Sequence, residues 1–378
     1  MSKLKVMTIV GTRPEIIRLS RTIAKLDQYC DHILVHTGQN FDYELNEVFF
    51  EELGIRKPDV FLDAAAPSAM QTIGNIIAKI DPILEKLQPE AILILGDTNS
   101  ALCAIAAKRR KIPIFHMEAG NRCFDEIVPE EINRKIVDHI SDINLTYSEI
   151  AREYLLREGI APDRVIKTGS PMNEVLQYYS SRIEKSDILT KLNLHKENYF
   201  LVSTHREENV DNPENLLKFI ELLNSLASKF NKPIIVSTHP RTQKRLTLLK
   251  SDIHPLVQFS KPFGFIDYVC LQVNASCVLS DSGTITEESS ILNFPALNLR
   301  EVHERPEGFE EGAVMLVGLS ASRVMQALAI LNDQLRGNQR SLDIVSDYRT
   351  TAVSDKVLRI LHSYTDFVNR KTWHKNFH

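Results

Sequence analysis

Side chains that can exchange protons stand after apolar runs in both halves of this sequence. Asp97 and Glu118 follow apolar runs of the first half, Glu130 lies in a polar loop further on, and His205 follows an apolar run of the second half. The carboxyl ends of parallel strands meet at one edge of a sheet, so side chains in such positions can face one ligand. Three carboxylates with a histidine predict an acid/base centre there.

Each of these residues also has a simpler structural interpretation. Glu130 and Arg134 are four residues apart, which suits an ion pair on one helical face. Asp97 can cap a helix that starts beside it, and His205 can cap a turn. His239, which also lies after an apolar run, can hold a neighbouring side chain through a hydrogen bond. The acid/base hypothesis therefore rests on the combination and not on any one residue.

A turn in the second half has the features of a phosphate site. The apolar run 277–279 ends in small polar residues, and Ser282 and Gly283 then lead into sequence that favours a helix. Backbone N–H groups at a helix start lack intrahelical partners, and the helix dipole favours negative charge there. Glu288, about one turn further on, is placed to accept hydrogen bonds from ribose hydroxyls. The turn predicts a nucleotide-like ligand, with an ordinary strand-to-helix connection as the alternative.

A second turn of this kind follows the first apolar run of the chain. Gly11 allows a tight turn, and Pro14 suits the first turn of a helix because its missing N–H costs nothing there. Arg13 then stands where a guanidinium and a helix N-terminus can meet one anion. A solvated surface arginine is the simpler alternative.

Composition limits the classes of function. The chain has 378 residues, of which 43% are hydrophobic and 25% are charged, enough for two domain cores. Its net charge of −4 gives no reason to expect a nucleic-acid partner. His116 and Glu118 have no partners at metal-site spacing, so we expect no metal.

Cysteine usage and hydropathy favour a cytoplasmic protein. The five cysteines form no C-x-x-C pair and are odd in number, which suits a reducing compartment. The N-terminus does not resemble a signal peptide, and no apolar run approaches the roughly 20 residues of a membrane helix. We therefore expect no membrane association.

Short β-rich runs alternate with helical stretches, which predicts α/β domains with parallel sheets covered on both faces. In the first half we predict strands at 5–10, 32–36, 91–95, 112–116, 142–146 and 164–168, with helices at 14–26, 71–87, 99–110 and 148–158. In the second half we predict strands at 199–203, 233–237, 257–260, 276–280 and 295–298. A charged stretch near 181–197 separates them. We therefore predict two Rossmann-like doubly wound domains, 1–180 and 181–357, facing a cleft.

Motifs in chain order resemble those of the non-hydrolysing UDP-N-acetylglucosamine 2-epimerases over nearly the whole sequence. They are Gly11-Thr12-Arg13-Pro14-Glu15, Thr37-Gly38-Gln39, Gly96-Asp97-Thr98, Glu118-Ala119-Gly120, Pro129-Glu130-Glu131, Asn133-Arg134, Thr204-His205-Arg206, Asp281-Ser282-Gly283 and Glu304-Arg305-Pro306-Glu307. The resemblance implies a glycosyltransferase-B-like fold and a homodimer. It also implies that the second domain binds UDP and that a last helix, at about 358–378, packs back on the first domain.

The resemblance further implies a reaction that needs no nicotinamide or other cofactor. A carboxylate removes the proton at C2 of the sugar while UDP leaves C1, and UDP then adds back to the glycal. Asp97, Glu118 and Glu130 would exchange protons, Arg134 would orient them, and His205 would hold the diphosphate. The implied UDP-sugar contacts are Arg13, Arg18, His239, Tyr268, Ser282, Gly283, Glu288 and Arg305.

The string 117–125 and the tail 364–370 look more like the capsule and O-antigen branch of the family, with Asn121 departing from the usual motif. That branch converts UDP-2-acetamido-2,6-dideoxy-L-talose to UDP-N-acetyl-L-fucosamine, and the alternative is interconversion of UDP-GlcNAc and UDP-ManNAc. A retaining glycosyltransferase, a nucleotide-sugar sensor and a hydrolytic epimerase remain more distant alternatives. The carboxylates argue against the first two of these, which have no use for acid/base groups around C2.

Overall fold

The protein is described by a computed structural model that covers residues 3–39, 49–204, 212–238, 252–302 and 304–375. The predicted site residues His205 and His239 lie outside these ranges. The chain forms two compact units, Met1–Gln177 with Arg349–His378, and Tyr178–Tyr348.

The first unit contains a parallel sheet. Within the described residues its seven strands are β1 (Lys5–Val10), β2 (Asp31–His36), β3 (Val60–Phe61), β4 (Ala91–Leu95), β5 (Ile114–Met117), β6 (Ile143–Thr146) and β7 (Val165–Lys167). Their order is β3-β2-β1-β4-β5-β6-β7. The strands β2 and β3 are added on one side of β1, and the strands from β4 onward on its other side. In doubly wound sheets the point between two such strands, here β1 and β4, is the switch point where ligands bind.

The second unit contains another parallel sheet of the same kind. In the described residues its six strands are β8 (Phe200–Thr204), β9 (Ile234–Thr238), β10 (Val257–Ser260), β11 (Cys277–Ser280), β12 (Ala296–Asn298) and β13 (Met315–Leu316). Their order, β10-β9-β8-β11-β12-β13, repeats the order of the first six strands of the other sheet, with its switch point between β8 and β11. The prediction of an α/β fold with two Rossmann-like doubly wound sheets is confirmed.

Helices connect the strands. They are α1 (Arg13–Tyr29), α2 (Ala69–Leu87), α3 (Ala104–Arg109), α4 (Pro129–Ile140), α5 (Glu149–Arg157), α6 (Met172–Glu184), α7 (Ile188–Lys191), α8 (Pro213–Phe230), α9 (Phe265–Asn274), α10 (Thr284–Leu292), α11 (Pro306–Glu310), α12 (Ala321–Leu331) and α13 (Val353–Lys371). Local signals set several of their starts. Ser68 and Ser148 cap α2 and α5 through backbone N–H groups at 3.2 and 3.1 Å, and α4 begins with a proline and two glutamates that suit the helix dipole.

Buried apolar side chains give each unit its own core. In the first unit, residues of β1 and β4 such as Met7 and Ile92 pack with Ile76 and Ile80 of α2. In the second unit, strand residues such as Val202 pack with α8 and α12. Each sheet is therefore covered by helices, and the polar strand ends are left to carry chemistry.

Several predicted elements need correction. The helix predicted at 99–110 begins as a 3₁₀ helix, Asn99–Cys103, because Thr98 accepts a bond from the Ser100 N–H and tightens the first turns. The strand predicted at 112–116 starts at Ile114. The strands β3 and β13, of two residues each, were not predicted because such short runs have no apolar pattern. The last helix begins at Val353, before the predicted start at about 358, because Val353 already packs in the core.

Candidate active site

Asp97 and Arg134 meet at the carboxyl end of β4. Nε and Nη2 of Arg134 lie 2.9 and 2.6 Å from one carboxylate oxygen of Asp97, and the guanidinium is almost fully buried. The third guanidinium nitrogen, Nη1, donates to Glu131 at 2.8 Å. Asn133 donates to the backbone carbonyl of Asp97 at 3.0 Å. The first two turns of α4 therefore hold the Asp97 loop through side chains and backbone together.

Glu118 follows β5, the neighbour of β4, and pairs with Arg18 of α1. The two side chains make a short ion pair in which Arg18 is buried and Glu118 is nearly so. A methyl group placed on Gly96 would lie 3.9 Å from Glu118 Oε2, so this carboxylate lies against the Asp97 loop. Asn121 contacts the other oxygen of Glu118 at 3.4 Å.

The backbone of Glu118 is in the left-handed region, with φ of 64°. For a residue other than glycine this conformation costs on the order of 1 kcal/mol or more, and such strain is concentrated at functional sites. The fold thus accepts strain at the residue that places a carboxylate beside the Asp97 loop.

The glutamates at the start of α4 have different environments. Glu130 is half-buried, whereas Glu131 is fully buried and accepts hydrogen bonds from the backbone N–H groups of Cys123 and Phe124 at 3.1 and 3.3 Å. Glu131 therefore shapes the loop before α4. Sequence patterns alone gave no signal for this role, because the two N–H groups that Glu131 binds lie outside its own helix.

Glu15 was not predicted as a site residue, yet it joins two loops at the switch point. Its Oε2 accepts from the N–H groups of Gly11 and Thr12 at 2.5 and 3.2 Å, and its Oε1 accepts from the Thr98 hydroxyl at 2.6 Å. Burial raises the pKa of Glu15 to about 7, against the lowering effect of these hydrogen bonds. The loop that follows β1 is thus tied to the loop that carries Asp97.

The turn after β1 is as tight as its glycine suggested. A Cβ on Gly11 would lie 2.0 Å from Ser100 Oγ and 2.3 Å from Thr37 Oγ1. Arg13 is the first residue of α1, and its guanidinium lies 5.5 Å from the centre of the Phe49 ring. The convergence of Arg13 and the helix N-terminus on one anion stays a prediction.

In the second unit, the turn 281–283 joins β11 to α10 at the switch point of the sheet. Ser282 Oγ accepts from the N–H of Thr284 at 3.4 Å, and Gly283 is the N-cap residue. A methyl group on Gly283 would lie 3.6 Å from Arg305 Nε, and the Arg305 guanidinium pairs with Glu287 at 3.3 Å. The structure thus brings Ser282, Gly283 and Arg305 together.

Two further predicted contacts lie on helices of the second unit. Glu288 is buried in α10, and one of its oxygens accepts from Gln272 Nε2 at 2.6 Å. Tyr268 lies in the first turn of α9, where its N–H donates to the Gly264 carbonyl at 2.9 Å. The Gln272 contact fixes the orientation of Glu288, and it was not predicted from the sequence.

No group of three or more His, Cys, Asp or Glu side chains suited to a metal ion occurs among the described residues. In the same part of the chain, no helix is both long enough and apolar enough to cross a membrane.

Two Rossmann-like doubly wound sheets give the chain an α/β fold of the glycosyltransferase-B-like class, and the first sheet carries two arginine-paired carboxylates at adjacent strand ends. The family model described as UDP-N-acetylglucosamine 2-epimerase matches residues 24–362. The chain therefore belongs to the UDP-N-acetylglucosamine 2-epimerase family, and its class is that of the nucleotide-sugar 2-epimerases, which are isomerases.

Individual relatives agree with this assignment. The structure of UDP-N-acetylglucosamine 2-epimerase from Rickettsia bellii is 53% identical, with a TM-score of 0.91 over 99% of this chain and 100% of the other. The Methanocaldococcus jannaschii UDP-GlcNAc 2-epimerase, in complex with UDP-GlcNAc and UDP, is 34% identical with a TM-score of 0.88, covering 95% of this chain and 100% of the other. A UDP-2,3-diacetamido-2,3-dideoxy-D-glucuronate 2-epimerase of Pseudomonas aeruginosa is 33% identical over 86% of this chain and 91% of its own length. The relatives thus share epimerisation at C2 and differ in the sugar.

Proposed function

We propose that this protein inverts C2 of a UDP-2-acetamido sugar by eliminating UDP and adding it back. The observation that carries the proposal is the pair Asp97 and Glu118, which lie at adjacent strand ends and are each held by an arginine. A nearby cation favours the ionised form of a carboxylate, and an ionised carboxylate can accept a proton. Both carboxylates are thus suited to act at a carbon that loses and regains a proton.

The reaction balances in two steps. One carboxylate takes the proton from C2 while the C1–O bond breaks, which gives UDP and a 2-acetamidoglycal. UDP then attacks C1, and an acid delivers a proton to the opposite face of C2. Asp97, Glu118 and Glu130 supply these acid/base groups. Arg134 and Arg18 keep two of them in place.

The departing diphosphate needs stabilisation because C2–H is only weakly acidic. Groups that bind UDP more tightly as charge develops on it therefore also accelerate the reaction. We assign the phosphate contacts to Arg13, Ser282, Gly283 and Arg305, with His205 holding or protonating the leaving group. Glu288 would bind the ribose and Tyr268 the uracil, and His239 would be a further UDP-sugar contact.

Two sugars are candidates, and each has its own support. The resemblance of 117–125 to the capsule and O-antigen branch favours conversion of UDP-2-acetamido-2,6-dideoxy-L-talose to UDP-N-acetyl-L-fucosamine. Asn121, which departs from the common motif, lies 3.4 Å from Glu118 and hence beside the proposed acid/base group. The relatives named UDP-GlcNAc 2-epimerases support the alternative, interconversion of UDP-GlcNAc and UDP-ManNAc, to the same degree. We further propose a cytoplasmic homodimer that serves polysaccharide synthesis.

Proton NMR in D2O tests both the reaction and the substrate. The enzyme is incubated separately with each of the two UDP-sugars, and the C2 proton and the epimer ratio are followed. Deuterium at C2 together with an epimeric product supports elimination and re-addition, and the sugar that reacts identifies the substrate. Rapid reaction of UDP-GlcNAc with no reaction of the 6-deoxy sugar would rule out the fucosamine branch. Absence of exchange with both sugars would contradict the proposed reaction for these substrates.

A further inference from the structure

His116, near the end of β5, is completely buried between two oxygen acceptors. Its Nε2 lies 2.9 Å from the carbonyl oxygen of Gly96, and its Nδ1 lies 2.9 Å from a carboxylate oxygen of Asp138. A carbonyl oxygen only accepts, so Nε2 carries a hydrogen, and an ionised carboxylate requires one on Nδ1 as well. The distance between Nδ1 and the Asp138 carboxylate therefore fits an ion pair between an imidazolium and an aspartate, in which Nδ1 makes no well-aligned hydrogen bond.

The electrostatic surroundings agree with that charge state. Burial lowers the pKa of His116, but Asp138, the Gly96 carbonyl and Asp97 together raise it above its ordinary value. Burial raises the pKa of Asp138, but His116 and Arg122 hold it below its ordinary value. Arg122 also pairs with Glu158 at 2.6 Å, so the four groups carry two positive and two negative charges.

Asp138 of α4 connects the pair to both loops of the candidate site. Its two oxygens lie 3.3 and 3.2 Å from the Gly120 N–H, two residues after Glu118. It also accepts from Arg122 Nη1 at 2.7 Å. Through His116 it reaches the carbonyl of Gly96, the residue before Asp97. One buried carboxylate thus contacts the Glu118 loop directly and is linked to the Asp97 loop through His116.

The same helix carries other members of the site. Glu130, Arg134 and Asp138 follow one another at intervals of four residues, so they lie along one face of α4. Asp138 therefore also fixes the rotation of the helix from which Arg134 reaches Asp97. A shift of about 1 Å in such a group can cost about a hundredfold in rate.

We propose that His116 and Asp138 form a positioning pair for the acid/base centre. The pair fixes the position of the Asp97 loop relative to the Glu118 loop and keeps a positive charge beside Asp97. The inference rests on the proposed function, since it assigns a role relative to the same carboxylates. Neither residue touches substrate in this account, because both side chains are completely buried.

Asp138→Asn tests the pair, with Asp142→Asn as the matched control. Asp142 follows the same helix, is also buried, and accepts from the Ile114 N–H at 3.0 Å and Lys108 Nζ at 2.7 Å. It belongs to the same unit and is not a partner of His116 or Gly120. In Asp138→Asn we expect kcat to fall about 10- to 100-fold with UDP affinity changed less than threefold. In the control we expect kcat within about threefold of the wild type.

Two readouts separate positioning from loss of stability. In 15N NMR at pH 7, the His116 ring of the wild type should show both nitrogens protonated, and Asp138→Asn should leave one. The acid limb of the pH–kcat profile should also move to higher pH, because His116 is then neutral and its positive charge no longer favours the ionised form of Asp97. His116→Gln, which can still donate to Gly96 but carries no charge, should lower kcat in the same way if Asp138→Asn does not fold.

The proposal and the proposed function fail in distinguishable ways. Equal losses of kcat in Asp138→Asn and Asp142→Asn, or a neutral His116 ring in the wild type, would overturn the positioning pair. Absence of C2 exchange in the wild type contradicts the reaction alone, and the NMR charge state of His116 then still tests the pair.

Discussion

Glu15, Asp97 and Glu118 are carboxylates at one edge of the first sheet that have different partners. Arginines neutralise Asp97 and Glu118, whereas the described partners of Glu15 are neutral N–H and O–H donors. A buried carboxylate without a positive partner favours its protonated form, as the pKa of about 7 for Glu15 shows. The carboxylates that are paired with arginines are thus suited to proton transfer, whereas the carboxylate that titrates near neutral pH is suited to holding the structure together.

Glu118→Gln should remove turnover and keep UDP binding. Glutamine cannot accept a proton, so C2 exchange should fall at least about 100-fold, while UDP affinity should stay within about tenfold. Exchange in D2O and calorimetric UDP titration measure the two quantities. Glu126→Gln, at an exposed position of the following loop, is the control and should change neither. A large loss of UDP affinity in Glu118→Gln would instead indicate a binding role.

Glu15→Gln should change the pH dependence of stability. The folded pKa of about 7 lies above the ordinary value of 4.5, so the stability due to protonation is fully present below about pH 4.5 and is lost as pH rises through 7. The free energy of unfolding of the wild type, relative to the variant, should therefore fall by on the order of 3 kcal/mol from pH 4.5 to pH 8. Urea denaturation at several pH values measures this difference. A constant difference would mean that Glu15 titrates at its ordinary pKa.

At the scale of elements, apolar runs were sufficient to locate most strands. Those at 5–10, 91–95 and 257–260 coincide with the observed β1, β4 and β10, because their buried residues give a signal within the run itself. The roles of Glu15, Glu131 and Asp138 could not be predicted in this way. Glu15 also binds its own turn and Glu131 also pairs with Arg134 of its own helix. The partners that give the three residues these roles lie on other segments, as with the 2.6 Å contact between Glu15 and Thr98, and only the folded sheet brings them together.

Gly120→Ala should show how closely the loop after β5 packs on α5. Gly120 has φ of 82°, and a Cβ there would lie 2.4 Å from the carbonyl oxygen of Ala151. Gly159 has φ of 90°, and a Cβ there would meet no surrounding atom within 4 Å. Gly159→Ala therefore introduces the backbone strain without a steric clash. We expect about 1–2 kcal/mol of destabilisation for Gly159→Ala and clearly more for Gly120→Ala, by urea denaturation. Equal losses would mean that the loop moves freely away from the helix.

At the scale of the whole molecule, the chain completes its first unit only at its end. After the second unit, the helix α13 returns to the first and packs on α1, with an ion pair of 2.8 Å between Lys25 and Asp355. Lys356 Nζ also donates to the Thr168 carbonyl at 3.0 Å. The helix α13 therefore stabilises the unit that carries the carboxylates.

Leu361→Ala should loosen the first unit selectively. Leu361 is fully buried in α13, and removing such a side chain costs about 2–5 kcal/mol. Because each unit contains its own core, hydrogen–deuterium exchange should accelerate in peptides of β1, β2 and β7 and stay unchanged in peptides of β8 and β11. Leu223→Ala, at a buried position of α8, is the matched control and should give the reverse pattern. If either variant accelerated exchange equally in both units, the two units would unfold as one cooperative body. The return of α13 would then stabilise the whole chain and not the first unit alone.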